Sequence, residues 1–287
     1  MVTTSRASRN RIPDLASPWA KLERADNQAT ELRGYIRRWA NVEDDPVIRQ
    51  RWQDEPELHY TRVYVESLKP IPKPWGPLIG DAIHNYRSAL DHLGYALVKA
   101  GTASADLRDE RNAKRVYFPY FTGNLSGYLT SSFVAERLPG VDSRYIAALA
   151  PFQPGLRPGE RRWQLKALQR LDDLEKHREP LLTPHLLMWT NLIASHPMPF
   201  DVEVIPGWKH LKPGTELVHL VWKFGKPPKA AKVLDITVDC DNPSMDVKYT
   251  PTCSIVFGDL KPRREVKQVL GESSKVVRQI LEAIERI

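Results

Sequence analysis

Six polar residues recur at three- and four-residue spacing, which places them on one face of a helix. They are His84, Arg87, Ser88, Asp91, His92 and Tyr95. A histidine titrates near neutral pH and can exchange a proton with a 2′-hydroxyl, and an arginine can hold a phosphate through two hydrogen bonds. The combination predicts phosphodiester chemistry without a metal, in which Asp91 orients the guanidinium or fixes a histidine tautomer.

The same residues also fit a purely structural role. Arg87 and Asp91 are four residues apart and can form an ion pair along the helix. His84 and His92 can bond to backbone carbonyl groups or cap loops. A buried polar cluster that fixes this helix to its neighbours would have the same sequence pattern, so both interpretations stay open.

The stretch Arg87-Ser88-Ala89-Leu90-Asp91-His92 resembles the Arg-x4-His motif of the HEPN superfamily, although Ser88 stands where that superfamily prefers Asn, Asp or His. The resemblance implies a metal-independent endoribonuclease of a toxin or phage-defence system, acting as a homodimer. In it, His92 would be the acid or base and Arg87 would hold the phosphate. The candidate catalytic residues are therefore Arg87, His92, Asp91 and His84, supported by Ser88 and Tyr95.

A second resemblance covers roughly residues 66–182. The stretch IGDAIHNYRSALDHL and the later LDDLEKHR are similar to a family of actinobacterial and phage proteins in which an RSALDHL helix is followed by an EKHR helix. This resemblance implies no particular activity.

A second group of candidate supporting residues ends the helix predicted over 161–178: Glu175, Lys176, His177 and Arg178. Arg178 falls on the apolar stripe of that helix, and a buried cation needs a carboxylate partner. Glu175 and Asp91 are the candidates for that partner. Either a buried ion pair joins two helices here, or His177 or Arg178 completes the site with Arg87 and His92.

The pattern of apolar residues predicts an α+β protein with a helical core, a HEPN-like bundle, and a small antiparallel sheet before the C-terminal helix. The predicted helices are 18–39, 78–99, 125–137, 142–149, 161–178 and 262–286. The predicted strands are 58–68, 200–205, 216–224, 233–239 and 252–257. The expected organisation is a flexible basic tail (1–17), a mainly helical domain (18–185) and a strand-rich region (186–287) whose last helix packs on the core.

Composition narrows the partners of this chain. Its 287 residues carry a formal net charge of +7, which favours RNA or another nucleic acid as a partner. No apolar run is long enough for a membrane helix and no signal sequence is present, so we expect a cytoplasmic protein without membrane contact. No phosphate loop, zinc pattern or dinucleotide fingerprint occurs, so no cofactor or metal is predicted. The alternative function is a non-enzymatic accessory protein of phage origin that binds nucleic acid or protein.

Overall fold

The computed structural model describes residues 11–40, 48–55, 60–101, 107, 109–122, 125–154, 163–175, 182–186, 191–194, 200–204, 211–222, 247–250 and 253–287. The predicted strand 233–239 lies outside these residues. So do Lys176, His177 and Arg178, and their predicted roles stay predictions.

Helices account for more of the described chain than strands do. They are α1 (Ala16–Ala40), α2 (Trp75–Gly101), α3 (Glu110–Ala113), α4 (Leu125–Thr130), α5 (Ser132–Arg137), α6 (Ser143–Leu149), α7 (Trp163–Glu175) and α8 (Val266–Glu285). The sequence predicted α1, α2, α7 and α8 to within a few residues. Each of α1 and α2 has a proline in its first turn, Pro18 and Pro77. Proline is tolerated there because the N–H groups of the first turn have no hydrogen-bond partner within the helix. Ala16 and Ser17, which the sequence assigned to the basic tail, belong to α1.

The strands are all paired antiparallel. They are β1 (Ile48–Glu55), β2 (Tyr60–Leu68), β3 (Leu182–Leu186), β4 (Asn191–Ala194), β5 (Phe200–Val204), β6 (Glu216–Trp222), β7 (Val247–Thr250), β8 (Cys253–Phe257) and β9 (Arg264–Glu265). Among the described residues, these strands form three sheets with the orders β1-β2-β6-β5, β3-β8-β9 and β4-β7. The predicted antiparallel pairing before the last helix is present as β8 and β9, but the largest sheet takes two of its strands from before α2.

The chain divides into two compact units, and each unit is built from more than one stretch of the sequence. One contains the residues up to Arg33, Pro74–Pro180 and Val266–Ile287, and the other contains Gly34–Lys73 and Leu181–Glu265. This division differs from the predicted one because β1 and β2 pair with each other and β2 pairs with the late strand β6. The described candidate site residues all belong to the first unit. A HEPN-like bundle remains a proposal for that unit.

The core of the first unit forms around α2, which packs against α7 and α8. The apolar stripe of α2 is buried along its whole length: Ile79, Ile83, Tyr86, Leu90, Leu93 and Leu97. Side-chain hydrogen bonds join α1 to α2, and residues later in α1 bond to residues earlier in α2. The pairs are Ser17 with His92, Asp26 with Tyr86 and Gln28 with Asn85. The two helices therefore run antiparallel. Within the described residues, no helix is both long and apolar enough to cross a membrane.

Candidate functional site

The polar face of α2 is divided between two environments. Its middle, around Arg87, lies against the segment 116–121, while its C-terminal half, from Asp91 onward, borders an open cleft. Positions five apart on a helix differ by about 140° around its axis. Arg87 and His92 therefore point in different directions, and the structure gives them different neighbours.

Arg87 takes part in a largely enclosed polar cluster. Its Nη2 donates to Oδ1 of Asp91 at 2.9 Å, and the two side chains are 12% and 32% exposed. The same Asp91 oxygen accepts the backbone N–H of Phe118 at 3.0 Å. The guanidinium also lies over the ring of Tyr120, 4.2 Å from its centre. These contacts fix the 116–121 segment to α2, as the structural interpretation of the sequence predicted.

Two polar atoms of this cluster are buried without a hydrogen-bond partner among the described residues: Nη1 of Arg87 and the hydroxyl of Tyr120. Burial raises the pKa of Tyr120 far above its usual range, against an opposing effect of the Arg87 charge. Tyr120 is therefore a neutral phenol that presents a ring face to the guanidinium. A cation–π contact of this kind stabilises an arginine whose hydrogen bonds are incomplete.

His84 pairs with a carboxylate on the neighbouring helix. Its Nδ1 is 3.0 Å from Oδ1 of Asp172 on α7, and Asp172 is 1% exposed while the imidazole is 53% exposed. A carboxylate only accepts hydrogen bonds, so this contact requires the proton on Nδ1 of His84. The bond joins α2 to α7 and leaves the opposite edge of the imidazole facing outward.

His92 lies at the start of α1 instead. Its Nδ1 is 2.7 Å from the hydroxyl of Ser17, in the first turn of that helix. Oδ1 of Asp14 accepts the backbone N–H of Ala16 and so caps the helix start that carries Ser17. Because a hydroxyl can donate or accept, either imidazole tautomer of His92 satisfies this contact. Its Nε2 is then available for another group.

The cleft beside His92 has a volume of about 570 Å³. One wall is the C-terminal half of α2, with His92, Tyr95 and Lys99, and the other is the segment that includes Arg11 and Ile12. Asp14 and Asp91 also line it. Arg87 balances Asp91, and Lys21 is close enough to affect His92. The lining of the cleft therefore carries two cations, Arg11 and Lys99, and two carboxylates, of which Asp91 is paired with Arg87.

The surroundings of His92 favour the neutral form of its imidazole. Partial burial, and then the positive charge of Lys21, lowers the pKa of His92 below its ordinary value of 6.5. A neutral imidazole at pH 7 can accept a proton, which a general base must do.

The remaining predicted site residues are spread around these contacts. Ser88 is half-buried on α2, and Tyr95 is 42% exposed in the cleft. Glu175, at the end of α7, packs closely against Gly80, where an added Cβ would lie 2.6 Å from its Cγ. The catalytic and supporting roles given to these residues from the sequence stay predictions.

Several groups at the site come from outside α2 and were missing from the predicted set, among them Ser17, Arg11 and Tyr120. Ser17 is 75 residues from its partner His92. No sequence pattern links residues so far apart. Lys99, in contrast, could have been found, because it follows His92 and Tyr95 by seven and four residues on the same helix face.

No family model, curated protein or solved structure matches this chain. The resemblance to the HEPN superfamily thus rests on the motif and its position on α2. In the part of the chain that the structure describes, no group of three or more potential ligands is arranged to hold a metal ion.

Proposed function

We propose that the protein is a metal-independent endoribonuclease whose reacting groups lie in the cleft beside His92. The observation that carries this proposal is the placement of the His92 imidazole. It lines an open cleft that Arg11 and Lys99 also line, and its Nδ1 is held by Ser17 at 2.7 Å. A neutral imidazole beside cations suits abstraction of a proton next to a phosphate.

The chemistry assigned to His92 is transesterification of RNA. Nε2 of His92 takes the proton of a 2′-hydroxyl, and the 2′-oxygen attacks the adjacent phosphorus. The bond from phosphorus to the 5′-oxygen breaks, and the leaving oxygen takes a proton from a water molecule. The hydroxide so formed takes the proton back from Nε2 of His92, which returns the imidazole to its neutral form. The products are a 2′,3′-cyclic phosphate and a 5′-hydroxyl. Ser17 is a positioning residue, because its hydroxyl oxygen accepts the Nδ1–H of His92 and so leaves Nε2 unprotonated and able to act as the base.

The proposal gives the phosphate to Arg11 and Lys99 rather than to Arg87. Both line the cleft, whereas the Arg87 guanidinium is enclosed by Asp91 and Tyr120. Arg87 then acts by holding the 116–121 segment against α2. The homodimer and the toxin or phage-defence role that the resemblance implies stay predictions.

RNA cleavage in the presence of EDTA tests the proposal. We expect wild-type protein to release 2′,3′-cyclic phosphate ends, His92→Ala to lose cleavage while still binding RNA, and Ser17→Ala to cleave more slowly. Lys99→Gln should weaken binding and reduce the slope of log affinity against log salt by about 1. Lys275→Gln removes an exposed lysine on α8 and is the matched control. Cleavage that is equal in wild type and His92→Ala, or absent from both, refutes the enzymatic proposal.

A non-enzymatic RNA-binding protein is the second candidate, and the enclosure of Arg87 favours it. Without that guanidinium the cleft has fewer groups to stabilise the charge that develops on a reacting phosphate. This candidate predicts binding that depends on Lys99 and salt, with no cleavage by the wild type.

A further inference from the structure

The α2 wall of the cleft has a regular arrangement of side chains. His92, Tyr95 and Lys99 are spaced by three and four residues, so they lie on one helix face over two turns. At 1.5 Å per residue, the distance from His92 to Lys99 along the helix axis is roughly 10 Å. An imidazole, an aromatic ring and an ammonium group therefore follow one another along this wall.

Two apolar side chains are exposed in the same cleft. Tyr95 is 42% exposed and Ile12 is 90% exposed, and they are two of the four large hydrophobic residues exposed in the described part of the chain. A single exposed hydrophobic side chain is ordinary on a protein surface. Tyr95 and Ile12 line one cleft together with Arg11 and Lys99, so this cleft combines exposed apolar surface with positive charges. Aromatic rings set among cations are the usual means of binding unpaired nucleotides.

We propose that Tyr95 and Ile12 form a subsite for an unpaired nucleobase, so that the cleft selects single-stranded RNA. This inference rests on the proposed function, namely that the cleft binds RNA. A base within a duplex is stacked on both faces, whereas an unpaired base can place one face on the Tyr95 ring. Lys99 and Arg11 then contact the phosphates of the same strand, and the linkage next to the stacked base lies at His92.

Binding of uncleavable 2′-O-methyl RNA, measured by fluorescence anisotropy, tests the subsite. Three ligands of one sequence are compared: a single strand, its duplex, and a single strand with one abasic position. We expect the wild type to prefer the intact single strand. Tyr95→Leu keeps an apolar side chain but removes the ring, so it should weaken single-strand binding by about 5- to 150-fold. Tyr95→Phe should bind like the wild type.

Leu129→Ala is the matched control, because Leu129 is also an exposed hydrophobic residue and does not line this cleft. Its affinity should be unchanged. If wild type and Tyr95→Leu bind the single strand equally while Lys99→Gln weakens it, the base subsite is refuted and the phosphate site stands. If the wild type binds none of the three ligands, the proposed function fails and the subsite with it.

Discussion

Substitution of Arg87 by methionine distinguishes a structural arginine from a catalytic one. Methionine replaces the aliphatic part of the arginine side chain with one of similar length and removes the guanidinium. The change breaks the 2.9 Å ion pair with Asp91 and the contact with the Tyr120 ring. Asp91 keeps the N–H of Phe118 as a donor, so the carboxylate does not lose all of its hydrogen bonds.

The expected loss of stability follows from how enclosed the pair is. Breaking a fully buried ion pair costs about 3–5 kcal/mol, and an exposed one contributes about 0–1 kcal/mol. With side chains 12% and 32% exposed, we place this pair near 2 kcal/mol by interpolation between those limits. Loss of the cation–π contact adds about 1 kcal/mol. Removal of the buried Nη1, which lacks a hydrogen-bond partner among the described residues, stabilises the variant by about 1 kcal/mol. The net loss in the free energy of unfolding is therefore about 2 kcal/mol.

Urea unfolding followed by far-ultraviolet circular dichroism measures this change, because the signal is dominated by helices. Arg286→Met is the matched control: Arg286 also has an ion-pair partner four residues away, Glu282, but on an exposed surface. Its loss should be about 0.3 kcal/mol or less. A double-mutant cycle of Arg87→Met with Asp91→Asn should show a coupling energy of about 1 kcal/mol.

The refuting result combines stability with activity. If Arg87→Met is as stable as the Arg286→Met control but has lost RNA cleavage, the guanidinium acts on the substrate and the structural assignment is wrong. If the variant is destabilised and its folded fraction cleaves RNA normally, the motif's arginine is not a catalytic residue.

Two other predictions follow from the surroundings of His92 and Gly94. Lys21→Met should raise the pKa of His92, measured by NMR titration of its ring protons, and an unchanged pKa would contradict the assigned cause. Because the pKa of His92 in the folded protein lies below its ordinary value of 6.5, the stability linked to its protonation is complete above pH 6.5 and falls as the pH drops. Gly94→Ala should lower the free energy of unfolding in urea by about 1 kcal/mol, since the added Cβ would lie 3.1 Å from the Phe118 backbone nitrogen. The control Gly271→Ala, with open space around the added Cβ, should raise the free energy of unfolding, and equal effects of the two substitutions would refute the close packing at Gly94.

The long helices α1, α2, α7 and α8 were predictable because their burial is periodic in sequence, whereas the four-residue helix α3 was not predicted. Every predicted apolar residue of the α2 stripe, from Ile79 to Leu97, is buried. The strand β1 was not predicted, since IRQRWQDE shows little of the alternation of apolar and polar residues that indicates a half-buried strand. Its formation depends on pairing with β2, and local sequence does not encode that pairing. The two-unit division was missed for the same reason.

The candidate site was predictable only as far as one helix extends. The sequence placed His84, Arg87 and Asp91 on a shared face, but their partners come from α7 and from the 116–121 segment. Whether a polar residue is enclosed or faces a cleft depends on such partners. The sequence analysis placed Arg87 and His92 on one face, but their five-residue spacing separates them by about 140° around the helix axis. The structure gives the two side chains different neighbours.

The same angle constrains how the HEPN-like motif can work in this chain. Two residues about 140° apart on one helix have Cα–Cβ bonds that point to different sides of it. The resemblance implies a homodimer, in which a second copy would supply the other group. In a symmetric dimer, however, each copy has the same local structure. An Arg87 that is enclosed by Asp91 and Tyr120 in one copy is enclosed in the other as well. Dimerisation alone therefore does not bring the guanidinium to His92 unless the 116–121 segment moves. For this reason the proposed function assigns the phosphate to Arg11 and Lys99, which already line the cleft.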